Sequence, residues 1–261
     1  MISAAFAAAA AQKRAALVPY VTAGHPGLDA TVPVLHAIAD AGADVIELGI
    51  PFSDPLADGP TIQKSSFDSL SRGTTVQRVL ADLRTFRESS AVPVVLFTYL
   101  NPVIRYGVDA FLADALDSGA QGVLLTDLPT GADQALESSV VDSPLDLIRL
   151  IAPTTALERV PEVARGGSGF LYYISRTGVT GARQSLSETL VDEVGAVQSA
   201  VDLPVAVGFG ISTPEQAAMV GSVADGVVVG SALVRTLDEQ GIAAGADFVA
   251  ALRGGLDQAR Q

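Results

Sequence analysis

Residues 47–60 read Glu-Leu-Gly-Ile-Pro-Phe-Ser-Asp-Pro-Leu-Ala-Asp-Gly-Pro, which places one carboxylate inside a strand-like run and a second eleven residues later in a turn-rich loop. The run 43–50, Ala-Asp-Val-Ile-Glu-Leu-Gly-Ile, is apolar on both faces, as in a strand covered on both sides, and leaves Glu47 no solvated side. Burial favours the neutral form of a carboxylic acid and raises its pKa. Such a group gives and takes a proton near neutral pH, which is the requirement for a general acid/base. Glu47 alone is also compatible with a structural pairing to an arginine inside the protein, and Asp58 alone with a plain Asp-Gly-Pro turn. Their position at one strand and its following loop is what would let two carboxylates converge on one ligand.

The rest of the reactive inventory narrows the chemistry by elimination. Only Lys13 and Lys64 supply amines, and neither falls in a strand, which disfavours a Schiff-base mechanism. His25 reads as a polar turn residue and His36 as a structural histidine within a helix. With no cysteine, metal binding would fall to carboxylates, so no metal site is expected.

Eight short strand-like runs, at 17–21, 44–48, 92–98, 122–126, 145–151, 170–174, 204–207 and 226–229, alternate with helical, alanine-rich stretches. Each connection is long enough for a crossover helix, so the expected fold is a single (β/α)8 barrel spanning 1–261, with a short N-terminal helix from the apolar start. An open doubly wound sheet would more often carry Gly-x-Gly-x-x-Gly after its first strand, where this chain has Thr-Ala-Gly-His-Pro-Gly at 22–27. Thr213-Pro214-Glu215-Gln216 is a helix start, with a hydroxyl at N-cap, Pro at N1 and Gln at N3. Residues 175–187 form a long glycine-rich and polar connection, a candidate lid.

The net charge of −13 and a pI near 4.4 disfavour nucleic acid and anionic membranes as partners. The apolar run at 1–11 precedes Lys13 and Arg14 instead of following them and is too short to span a bilayer, so a cytoplasmic protein is expected. A phosphate ligand would have to be held locally. Gly208-Phe209-Gly210-Ile211 after the seventh run and Gly230-Ser231-Ala232 after the eighth offer backbone N–H groups, with 178–181 as a further wall.

Taken together, the 47–60 segment, Ser-Arg-Thr-Gly-Val-Thr-Gly at 175–181, Gly-Phe-Gly-Ile-Ser at 208–212 and Gly-Ser-Ala at 230–232 closely resemble the tryptophan synthase alpha-subunit family, over nearly the whole chain. The resemblance implies a barrel that cleaves indole-3-glycerol phosphate to indole and glyceraldehyde 3-phosphate, with no cofactor of its own. It implies Glu47 as the acid/base acting at indole C3 and the glycerol hydroxyl, and Asp58 as the partner of the indole N–H. Tyr172 matches an active-site tyrosine. Tyr20, Phe97, Tyr99, Leu124 and Phe209 match the indole pocket, with ordinary packing as the other reading of several. Gly181, Gly210, Gly230 and Ser231 match the phosphate contacts, and Thr180 a lid threonine that orients Asp58. The implied partner is a pyridoxal-phosphate beta subunit in an alpha2-beta2 complex, faced by Pro51, Asp54, Asn101, Asp127 and Pro129. His25 stands where Asp is common, and Tyr20 where Phe is common. Two alternatives remain: a non-catalytic activator of beta, and another phosphosugar-type barrel enzyme. A metal-dependent epimerase of that type would want histidine ligands, and indole-glycerol phosphate synthase a catalytic lysine.

Overall fold

The computed structural model describes residues 2–174, 188–208 and 210–259. Its strands are β1 (Ala16–Thr22), β2 (Ile46–Gly49), β3 (Val94–Thr98), β4 (Gly122–Leu125), β5 (Asp146–Leu147), β6 (Arg149–Ile151), β7 (Leu171–Ile174), β8 (Val205–Gly208) and β9 (Gly226–Val229). The helices are α1 (Ile2–Ala11), α2 (Thr31–Asp40), α3 (Pro60–Ser71), α4 (Val76–Arg87), α5 (Leu100–Tyr106), α6 (Val108–Asp117), α7 (Gln134–Val141), α8 (Val160–Val163), α9 (Glu188–Ala200), α10 (Pro214–Gly221), α11 (Ser231–Gln240) and α12 (Ile242–Gln258).

All strand pairings are parallel, in the order β5-β4-β3-β2-β1-β9-β8-β7-β6. The two ends of this sheet are consecutive in the chain, parted only by Ile148, so the sheet curls into a (β/α)8 barrel. The fifth run was expected as one strand over 145–151 and is instead two short pieces. Its first half pairs with β4 and its second with β7, because the tilt of strands in a closed barrel offsets the two ladders along the segment.

The alternation along each strand sorts side chains into two cores. Leu17, Ile46, Leu48, Val94, Leu96, Val123, Leu171, Val205, Val207 and Val227 face outward onto the helices. Ala16, Val18, Val45, Val95, Leu124, Phe170, Ala206 and Val228 form the separate cluster within the barrel. Helix α1 belongs to that inner cluster: Ile2, Phe6 and Ala9 are buried in it, and Phe6 stacks on Phe170 with ring centroids 5.1 Å apart. The apolar N-terminal run is therefore a plug for the barrel. Near the starts of β1 and β2, Asp44 pairs with Arg14 at 2.7 Å and with Arg253 of α12 at 2.9 Å.

Helix α10 starts at Pro214 as expected, and the Thr213 side chain accepts from the N–H of Gln216 at 3.2 Å. The Gln216 side chain reaches one residue further back than a capping box would, accepting the Ser212 N–H at 2.7 Å.

If α1 fills the barrel, Phe6→Ala opens a cavity in a ring of fixed walls and should cost about 3–5 kcal/mol in urea denaturation. A loss below about 1 kcal/mol would mean that the helix merely rests on the surface.

Candidate active site

Glu47 lies mid-strand in β2 on the inward side, in register with Tyr20 of β1, and is 1% exposed. Among the described residues its Oε1 has no hydrogen-bond partner, and none of their arginines makes the pairing that would have made it structural. The buried arginines are used elsewhere, Arg14 with Asp44 and Arg149 with Glu137. Burial pushes the Glu47 carboxyl up to about 8.

Asp58 reaches the same cavity from the loop between β2 and α3. The loop turns where the sequence signalled, the Asp58 N–H donating to Pro55 O at 3.0 Å and Gln63 Nε2 to Asp58 O at 2.9 Å, while Pro60 opens α3. The turn and the inward-facing carboxylate are thus compatible readings of one residue. Tyr99, just after β3, donates its hydroxyl to Asp58 Oδ2 at 3.0 Å and accepts the Ala57 N–H at 3.1 Å. Burial raises the Asp58 carboxyl to about 6, with the Tyr99 bond opposing the rise. Around neutral pH the pair is therefore split, Glu47 mostly neutral and Asp58 mostly ionised.

A cavity of about 550 Å³ collects these groups. Tyr20, Phe97, Ile62 and Tyr172 give it apolar walls, with Tyr20 and Phe97 edge to face at 5.2 Å. Two strand-end glycines make room for the tyrosines: a Cβ on Gly49 would lie 2.2 Å from the Tyr20 hydroxyl, and one on Gly208 2.3 Å from that of Tyr172. Gly208, read from sequence as part of a phosphate loop, is thus needed for packing. Burial holds the hydroxyls of Tyr20, Tyr99 and Tyr172 well above the usual tyrosine range, so they stay protonated donors.

The cavity is also lined by Gly210, Ile211 and Ser212 after β8 and by Gly230, Ser231 and Ala232 after β9. Gly230 is the N-cap of α11, whose first N–H groups, from Ser231 on, precede the first intrahelical bond, Val234 N to Gly230 O at 3.0 Å. Such N–H groups suit an anion.

Of the residues singled out by sequence, Glu47, Asp58, Tyr20, Phe97, Tyr172, Gly210, Gly230 and Ser231 line this cavity together, and Tyr99 touches it through Asp58. Leu124 does not. It is fully buried in the cluster within the barrel and is not among the lining residues, because its side chain packs with the plug below. Thr180, Gly181, Phe209 and the 175–187 connection lie outside the described residues. Sequence reasoning did not name Ile62, Thr126, Leu150, Ile174 or Arg235, which also line the cavity. Arg235 had a legible signal, four residues after Ser231 on one helix face.

His25, read from sequence as a polar turn residue, is 2% exposed, and among the described residues neither ring nitrogen is hydrogen-bonded; Nε2 lies 3.7 Å from Asp238 Oδ1. Burial keeps its pKa low. His36 packs on Phe86 with ring centroids 4.9 Å apart, a structural role. Lys64 is exposed between Asp68 at 2.8 Å and Asp238 at 3.0 Å, away from the cavity. Among the described residues no group of three or more His, Asp or Glu is arranged to hold a metal ion.

A family model described as tryptophan synthase alpha chain matches residues 6–258. The chain belongs to the tryptophan synthase alpha chain family. It is 49% identical to the tryptophan synthase alpha chain of Geotalea daltonii over 234 residues, covering 90% of this chain and 89% of that one. With the alpha chain of Burkholderia multivorans it shares 47% over 259 residues, 97% and 96% of the two chains. Among solved structures, one of Mycobacterium tuberculosis tryptophan synthase superposes with a TM-score of 0.90 at 38% identity, covering 98% of both chains. The reaction of the tryptophan synthase alpha chain is the cleavage of indole-3-glycerol phosphate to indole and glyceraldehyde 3-phosphate, a lyase step of tryptophan biosynthesis, carried out in complex with a beta subunit.

Replacing Glu47 by Gln should stabilise the fold in a pH-dependent way. The native carboxyl keeps its proton to about 8 whereas the unfolded one loses it near 4.5, so wild-type stability falls with pH across that window, by at most about 1.4 kcal/mol per unit. The melting temperature of Glu47→Gln relative to wild type should rise from pH 5 to pH 8 and level off above it. A difference independent of pH would mean that Glu47 is not buried neutral.

Proposed function

We propose that Glu47 and Asp58 divide the chemistry of the retro-aldol cleavage. The observation that carries this reading is two carboxylates lining one cavity in unlike surroundings, Glu47 buried without a partner among the described residues and Asp58 held by the Tyr99 hydroxyl at 3.0 Å, which sets their ionisation apart, about 8 and about 6. Protonated Glu47 delivers its proton to indole C3, and the ring becomes an iminium-like cation. Ionised Asp58 accepts the indole N–H and stabilises charge that develops only on the way to cleavage. The carboxylate left on Glu47 then takes the hydroxyl proton of the glycerol chain. The bond from C3 to that carbon breaks, its electrons return to the ring, and indole and the aldehyde result. The hydrogen bond to Asp58 contributes roughly 1.5–3 kcal/mol.

In this reading Tyr99 positions Asp58, Tyr20, Phe97 and Tyr172 hold the indole, and Gly210, Gly230 and Ser231 hold the phosphate. Thr180, Gly181 and Phe209 take the roles that the family resemblance gives them. The chain uses no cofactor of its own, pyridoxal phosphate belonging to beta. We read 1–261 as one barrel domain working in the cytoplasm; among the described residues no helix is long and apolar enough to cross a membrane.

The beta subunit would seat on the loops after β2, β3 and β4. Asp54, Asn101, Asp127 and Pro129 are exposed there. Two apolar side chains add to that surface, Leu56 at 92% and Ile104 at 56% exposure. Pro51, placed on this surface by sequence, is instead buried: the Ile50 N–H donates to Phe97 O at 2.9 Å and keeps the start of the loop against β3.

The purified chain given indole-3-glycerol phosphate should release indole slowly alone and faster with a beta subunit. Absence of release in both cases would favour a non-catalytic activator and overturn the reading. Glu47→Gln should lower turnover by at least about 10²-fold with substrate binding kept. The pH profile of kcat/KM should be bell-shaped. It rises near 6 as Asp58 becomes the anion that binds the N–H, and falls near 8 as Glu47 loses the proton it must deliver. Tyr99→Phe removes a bond that lowers the Asp58 pKa, so the acid limb alone should move upward; an unmoved limb would assign it to another group.

A further inference from the structure

The charge layout of the cavity is uneven. Its described lining carries two carboxylates, Glu47 and Asp58, and one cation, Arg235. Arg235 stands on α11 four residues after Ser231, one turn along the same face of the helix. It is exposed, and no carboxylate among the described residues forms an ion pair with it. The nearest acidic candidate along its helix, Asp238, is held by Lys64 at 3.0 Å.

The neighbouring donors are partly spent. Ser212 directs both its N–H, at 2.7 Å, and its hydroxyl, at 3.1 Å, to Gln216 Oε1, which leaves the loop after β8 with fewer groups for an anion. Neutral amides bring no net charge, so they offset less of a second negative charge than a cation would. A chain of net charge −13 with two carboxylates lining the same cavity opposes the entry of a doubly charged ligand. An unpaired guanidinium on α11 offsets that repulsion, and it does so most for the dianion.

We propose that Arg235 is the residue that selects a dianionic phosphate terminus over uncharged or singly charged ligands. This rests on the reading of the cavity given under the proposed function. The guanidinium acts from the exposed rim through charge, touching the end of the ligand remote from bond cleavage. Its effect therefore belongs to binding, is screened by salt, and is retained in part by lysine.

The test uses the full chain and its Arg235→Gln and Arg235→Lys variants, with glycerol 3-phosphate and indole as separate titration probes and indole-3-glycerol phosphate as substrate. At low salt, Arg235→Gln should weaken glycerol 3-phosphate and raise KM about fivefold to tenfold, with kcat changed less than about twofold. Arg235→Lys should recover most of the loss, indole binding should not move, and the difference between wild type and Gln should shrink in about 0.5 M salt. Across the second ionisation of the phosphate, near pH 6, wild type should gain affinity for glycerol 3-phosphate more steeply than the Gln variant. Equal affinity of wild type and Arg235→Gln at low salt, or equal losses in the Gln and Lys variants, would overturn the assignment. If wild type cleaves no substrate and binds no glycerol 3-phosphate, the reading of the cavity itself fails.

Discussion

A carboxylic acid sits inside the barrel with no counterion among the described residues, and the groups around it are arranged to tolerate it. Ionising Glu47 there would cost several kcal/mol, and an arginine beside it would remove that cost together with the proton. The buried arginines are instead committed to Asp44 and Glu137. The polar atoms that do approach the same level are tyrosine hydroxyls, which burial keeps protonated and which add no charge. Their rings fit because Gly49 and Gly208 end the facing strands without side chains. Helix α1 fills the barrel with Ile2 and Phe6, part of an apolar cluster within it.

The two carboxylates differ because their supports differ. Glu47 is fixed by a strand whose neighbours on both sides are in register, so its environment is set by the barrel. Asp58 hangs from a loop and receives a hydrogen bond from Tyr99, which partly offsets its burial. One fold thereby yields a proton donor and an anion about two pKa units apart, from residue types whose ordinary values nearly coincide.

Periodicity and residue type were enough to read the strand runs, the helix start at Pro214 and the burial of Glu47, since each depends on near neighbours in the chain. The features that eluded the sequence depend on closure. Whether Leu124 faces the ligand or the plug depends on how deep the cavity reaches, and that depth is set by α1, more than a hundred residues away. The split at Ile148 comes from strand tilt, a property of the whole ring. That the polar turn residue His25 is buried was not legible because its cover comes from other parts of the chain, with Asp238 of α11 beside it. Pro51 looked like surface because a proline in a loop usually is, and only the pairing of Ile50 with β3 draws it inward.

The loop between the carboxylates joins chemistry to surface through one hydroxyl. Tyr99 Oη binds the carboxylate of Asp58 and the N–H of Ala57 at once, while the next residue along the loop toward β2, Leu56, is almost fully exposed. Tyr99 is also the N-cap residue of α5, whose first residue, Leu100, donates its N–H to Asp127 at 2.7 Å. The surface assigned to the partner therefore includes groups on both sides of that hydroxyl, Leu56 and Asp54 on one loop, Asn101 and Asp127 on the others. A shift of either side that lengthened the Tyr99 bond would bring the Asp58 pKa closer to what burial alone imposes. If Asp58 holds the indole nitrogen as proposed, its charge rests on the same contact that a subunit docked on these loops would press upon, and no longer path through the barrel is needed to connect them.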